Sequence, residues 1–380
     1  MKSKNVRLVA GIADKNASLF RRIGQALGDP AAYIQADARQ VALVRDLEMD
    51  RVRAAGKVDE VTCPAEHAPR SGLSADRETA TAQAVAQWMR SHHVDVVTVD
   101  RSLPYIFAWH LQQAEIAIQY DPQLAVLDRR QKSADEIEKL RVSQRDTETV
   151  MRKTLQRIAT ADVNDDGELT VDGQVLTSQS VRGWAAVEFL KLGYTMSHGA
   201  ICASLPEVAD CHHRGDGSLK SGVPIIVDLF PRNETTRYWG DCTRTVVHGQ
   251  VSETVLAMHQ AVVQAKAAAT EALVVGTTGD AVHQASENVL LQHGYESKRG
   301  KPSDEPSIQH GTGHGIGLDV HEPILLDFGG GEILEYEVFT IEPGLYGRNV
   351  GGVRVEDMLV ATPEGPENLN RLPEGLDWKP

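Results

Sequence analysis

Thirteen residues, HGTGHGIGLDVHE from His310 to Glu322, hold three of the chain's 14 histidines together with four glycines. An imidazole does little alone, and acids occur where acids are rare. Asp228 lies inside VPIIVDLFP, Asp241 heads GDCTRTVVHG, Glu342 sits in VFTIEPGLY and Glu356 in GGVRVEDMLVAT. An ionised carboxylate in an apolar interior costs roughly several kcal/mol even after relaxation, and the neighbouring cations are chiefly Arg244 and Arg354. Taken singly, each acid could be satisfied by backbone N–H groups or an arginine. Taken together with HGTGH, the four point to a pair of divalent ions whose charge offsets theirs. Carboxylates can bridge two ions roughly 3.5–4 Å apart, and oxygen ligands with one imidazole suit manganese, cobalt, iron or zinc.

The elements that must position these groups are strands. Side chains alternate faces along a strand, so Arg354 and Glu356 share one side with Val353 and Val355 on the other. Glu342 likewise shares a face with Thr340, opposite Phe339 and Ile341. Two helices interrupt the strands, near Glu253–Leu273 and Gly279–His293. A long helix from about Ser133 to Ile158, with Ser133 and Glu136 at capping-box spacing, opens this region. The residues before it alternate strand and helix: VALV at Val41–Val44, a helix after a cap at Ser74 or Asp76, VDVVTVD at Val94–Asp100, and YIFAWHLQQA. The expectation is a small amino-terminal α/β domain over residues 1–130 and a second domain of acid-bearing strands and helices over 131–380.

DVNDDGELTVDG, Asp162 to Gly173, opens like a calcium-binding loop, yet position twelve is Gly173 instead of a bidentate Glu. The alternation that follows predicts a polar hairpin. His92 and His93 fall at a helix end, where a dipole interaction suffices. His248, His259 and His283 read as surface or helix histidines. Trp184, Trp239 and Trp378 read as packing residues, and Cys242 points away from its neighbour Asp241.

The bulk composition excludes several classes. A formal charge of −14 over 380 residues argues against nucleic acid or an anionic membrane as partner. The four scattered cysteines form no CxxC pair, which suits a reducing compartment. No apolar run approaches the roughly 20 residues of a membrane span, and the opening stretch lacks the pattern of a secretory signal. A cytoplasmic location is expected.

In order, Asp228, the GDCTRT around Asp241, HGTGHGIGLDVHE, TIEPGLY and GVRVED resemble the motif series of the pita-bread metallopeptidases, which include Xaa-Pro dipeptidase (prolidase) and Xaa-Pro aminopeptidase. The preceding α/β domain resembles that of the prolidase and creatinase branch. The resemblance implies a pita-bread α+β catalytic domain with a curved antiparallel sheet and five metal ligands: Asp228, Asp241, His314, Glu342 and Glu356. Asp241 and Glu356 would be shared by two divalent ions, with manganese first and cobalt, zinc or iron as alternatives. Glu342 would serve as general base. His310, His321 and an upstream histidine, His212 in preference to His213, would contact substrate. Arg354 would support the site or the substrate carboxylate. The implied activity is hydrolysis of Xaa-Pro peptides by an activated water, on small peptides and in a homodimer. The alternatives are an aminopeptidase indifferent to proline and a non-catalytic binding protein on the same scaffold. Two departures stand out: twelve residues separate Asp228 from Asp241, a longer gap than is usual in the family, and Glu322 ends a VHE where some prolidases read VHD.

Overall fold

The computed structural model describes residues 5–301 and 303–380. The first four residues of the opening stretch read above lie outside them. The chain forms two compact units, divided between Arg129 and Arg130.

The amino-terminal unit is built on a six-stranded mixed sheet. Its centre is the strand Val6–Ile12, paired antiparallel with Pro30–Ala36 and parallel with Val96–Val99. The alternation of the sequence places Val6, Leu8 and Ala10 on one face, where they pack with Trp88 and Met89 of the helix Arg77–Ser91. Asp76 caps that helix by accepting from Thr79 N, so of the two candidate caps it is the one used. Val9, Ala31 and Tyr33 face a second apolar cluster with Leu19 and Ile23. Both faces of this sheet are covered.

In the larger unit the helix Ala134–Ala159 opens with a complete capping box between Ser133 and Glu136. Its apolar stripe, Val150, Met151, Leu155 and Ile158, packs on Ile225, Val227 and Val246 of two antiparallel strands, Pro224–Leu229 and Cys242–Val247. The expected antiparallel sheet is present as three ladders. The first runs Ala200–Ala203, Pro224–Leu229, Cys242–Val247. The second ends in Gly344–Gly347 and Gly351–Arg354, and the third centres on Gly313–Gly315, Val338–Ile341 and Asp357–Thr362. The helices Glu253–Ala272 and Gly279–Gln292 cover the ladders' outer faces through Met258, Val262 and Ala265 against Leu345, Val353 and Val355. Val353 and Val355 thus point away from Arg354 and Glu356, as strand parity requires.

The long Asp228–Asp241 connection makes an extra short strand, Arg232–Asn233, which pairs with Tyr194–Thr195. The lengthened turn leaves an aspartate at each end of the hairpin. The calcium-like segment is a three-stranded meander, Asp162–Val163, Leu169–Val171 and Gln174–Val175. There the Asn164 side chain accepts from the backbone N–H groups of Asp166 and Glu168, a local turn bond.

Candidate metal centre

Asp228 and Asp241 come from adjacent antiparallel strands, where Asp228 is in register with Thr243. The backbone of Asp241 is fixed by Gln144 of the long helix, whose side chain accepts from Asp241 N at 2.9 Å and donates to Asp241 O at 2.6 Å. Glu356 follows the strand Gly351–Arg354, and its N–H donates to Thr243 O. Glu342 follows Val338–Ile341, and its N–H donates to Thr312 O. His314 sits in the middle of Gly313–Gly315. A Cβ at Gly313 would stand 2.0 Å from Thr340 O, so only glycine lets these two strands meet there.

Ligand atoms of Asp241, His314 and Glu356 lie within 4.8 Å of one another. His314 Nε2 stands 3.5 Å from Glu342 Oε1 and 3.8 Å from Asp241 Oδ2. Its Nδ1 donates to Gly315 O at 3.0 Å, which leaves the Nε2 lone pair free toward the acids. Asp228 binds Arg354 Nη2 through Oδ2 at 2.7 Å, while its Oδ1 is buried without a hydrogen-bond partner. All five line one cavity of ≈ 490 Å³.

Burial sets the electrostatics. It pushes Asp241 and Glu356 well above the usual carboxylate range, and their mutual repulsion with Asp228 and Glu342 adds to it. Burial likewise raises Glu342 to about 7 and lifts Asp228, with Arg354 opposing in both cases. His310 and His314 are driven down to about 3, chiefly by burial. At neutral pH both imidazoles are therefore neutral, the form that ligates metal. Four acids cannot all ionise beside one arginine. The unpartnered Asp228 oxygen, the bare His314 nitrogen and this charge deficit fit divalent cations.

Arg354 is the cation that serves the acids, whereas Arg244 does not. Arg244 turns to Asp357 at 2.8 Å and to backbone carbonyls of Thr243, Leu372 and Pro373, a pairing that strand parity alone did not reveal. The Arg354 guanidinium donates to Asp228, Thr243 Oγ1, the Cys211 carbonyl and Tyr346 OH. Tyr346 in turn donates to His310 Nε2 at 2.6 Å, since His310 Nδ1 is committed to Gly311 O. Thr243 donates to Glu356 Oε2 at 2.8 Å.

His321 packs edge-on against His314, ring centroids 4.2 Å apart. Of the two upstream histidines, His212 lines the cavity, while His213 Nδ1 accepts from Gly215 N in a turn. Glu322 is buried, accepts from Leu318 and Asp319 N–H and pairs with Lys132 at 2.8 Å, clamping the loop that carries His321. His283 is buried on its helix, bonded to Thr312 Oγ1 and Arg299. Sequence reading passed over Tyr346 and Thr243, although TIEPGLY and GDCTRT contain them, and also His198 and Arg214, for which no motif gave a signal.

The profile of metallopeptidase family M24 matches residues 138–363, more than half of the chain. The chain is 31% identical over 211 residues to the probable dipeptidase PepE of Mycobacterium tuberculosis, covering 55% of this chain and 53% of that protein. It is 30% identical over 162 residues to the Xaa-Pro dipeptidase of Pyrococcus horikoshii, covering 42% and 43%. The chain thus spans about half the length of the curated relatives it matches. Among solved structures, the Xaa-Pro dipeptidase of Bacillus anthracis superposes with TM-score 0.81 at 20% identity, covering 98% of this chain and 94% of that one. The X-Pro aminopeptidase of Thermotoga maritima gives TM-score 0.78 at 21% identity, covering 98% and 97%. These likenesses establish the pita-bread fold over nearly the whole chain. With the matched profile spanning every one of the acids and His314, the chain belongs to metallopeptidase family M24.

Proposed function

We propose that the protein is a two-metal exopeptidase that cleaves the amino-terminal bond of Xaa-Pro peptides. The observation that carries this reading is the convergence of three buried acids, the partly buried Glu342 and a neutral imidazole in one cavity, where Arg354 alone among the described arginines and lysines pairs with these acids. Asp228, Asp241, His314, Glu342 and Glu356 would hold the ions, with Asp241 and Glu356 shared. Bound divalent ions supply a water of lowered pKa and polarise the scissile carbonyl.

The chain's own residues do the rest. Glu342, whose carboxylate makes no hydrogen bond among the described residues, takes and returns a proton at its carboxylate oxygen. His321, held against His314, orients the peptide and offers a hydrogen bond to the carbonyl oxygen as charge develops, while His310, its two ring nitrogens taken by Gly311 O and Tyr346 OH, orients the peptide by contact. Arg354 opposes the rise that burial imposes on the Asp228 carboxyl and fixes its rotamer. Ile201, Phe230, Val320 and Leu325 form an apolar wall suited to a proline ring. Manganese is the first expectation for the ion and the cytoplasm for the location. The four free cysteines agree with the latter, and no helix among the described residues is long and apolar enough to cross a membrane.

The deciding experiment combines elemental analysis with Xaa-Pro hydrolysis, run with and without added manganese. Metal bound in proportion to protein, with proline released only in its presence, supports the proposal. Folded protein that binds no metal and releases nothing favours a binding role instead.

A further inference from the structure

Beside the acids and His314, the cavity is lined by His198, His212, His321 and Arg214. His212 and His198 are close enough to His321 to help burial depress its pKa.

The two arginines of the cavity are in opposite states. Arg354 is buried, and its donors are spent on Asp228, Thr243, Tyr346 and the Cys211 carbonyl. Arg214 is exposed to the cavity and has no carboxylate partner within 4.0 Å among the described residues. It is nonetheless fixed. Its carbonyl accepts from Cys202 N at 3.1 Å and from Arg182, and Nη2 donates to the His198 carbonyl at 2.8 Å. Its guanidinium lies over Gly199, where a Cβ would come within 3.0 Å of Cζ. The adjoining Gly215, at φ +81°, has no room for a Cβ, which would stand 1.9 Å from Cys202 O. A guanidinium held rigidly and unpaired at the rim of a site is arranged for an incoming anion, because little side-chain entropy remains to be lost.

A cavity of ≈ 490 Å³ accommodates a ligand of dipeptide size. Within it the anion available from such a peptide is the terminal carboxylate of the second residue. We infer that Arg214 binds this carboxylate and selects dipeptides with a free carboxy-terminus over amidated or extended peptides. The inference rests on the Xaa-Pro exopeptidase reading above and narrows it to dipeptidase.

The test uses the manganese-loaded full chain with Ala-Pro and Ala-Pro amide, measured for the wild type, Arg214→Ala and Arg214→Lys. The wild type should prefer the acid. Arg214→Ala should raise KM for Ala-Pro about 10- to 100-fold, the weight of a charge-assisted hydrogen bond, and collapse the acid-to-amide ratio of kcat/KM toward one. Arg214→Lys, which keeps the charge and loses the fork, should restore part of that ratio. An unchanged ratio in Arg214→Ala, or equal losses on both substrates, overturns the inference while leaving the exopeptidase reading intact. A metal-loaded wild type that cleaves neither substrate overturns both.

Discussion

Glu356 and Asp357 are neighbours in the chain and both are buried, yet their surroundings differ completely. Asp357 meets Arg244, Lys266 and Asn368. Burial works to raise its carboxyl, but the two cations together hold it below the ordinary value. Glu356 turns to Thr243 and the cavity, where burial and the nearby Glu342 and Asp228 carboxylates drive it well above. One acid is neutralised by the chain itself. The other is left for something the chain does not encode. A buried charge without its counter-ion signals an external ligand, whereas a buried ion pair by itself signals only structure.

The sharpest way to break the comparison is His314→Ala. Losing a metal ligand should remove a catalytic contribution of several kcal/mol, a fall of at least about 10³-fold in turnover, with metal occupancy reduced; full activity would refute the ligand assignment. On the other side, Lys266→Met should leave Asp357 partly uncompensated and cost about 3–5 kcal/mol of stability, read from denaturant unfolding, with metal stoichiometry unchanged. A variant that lost metal as well would show that the two acids are not independent.

A smaller effect is expected for His321→Ala. Turnover should fall about 10²-fold while metal remains bound, as for removal of a single transition-state hydrogen-bond donor. The smallest is a pH effect on the metal-stripped protein. Its folded carboxyls have raised pKa values, so the native state holds protons that the unfolded chain has already released, and stability falls as pH rises. The loss should develop between about pH 4, the ordinary carboxylate value, and about 7, where Glu342 titrates. Thermal midpoints of stripped protein should therefore drop across this window, and metal should abolish the drop.

Much of the site was legible because its signals are local. An acid flanked by β-branched residues announces a buried carboxylate, and strand parity correctly separated Arg354 and Glu356 from Val353 and Val355. The Ser133–Glu136 capping box fixed a helix start within a few residues. Arg214 and His198 left no such trace, since each is a common polar residue in a loop whose direction depends on contacts with Gly199, Cys202 and Trp239. Tyr346 stood within a quoted motif, yet its bond to His310 joins residues 36 positions apart.

The amino-acid order alone determined that four carboxylates would be carried into apolar strands and would require positive charge, because hydrophobic periodicity is written residue by residue. Folding decided which cation each acid would find. Arg244 and Arg354 look equivalent along the chain, and only the pairing of distant strands sends one to Asp357 and the other to Asp228. Electrostatic energy depends on distance through space, and the linear sequence does not contain that distance.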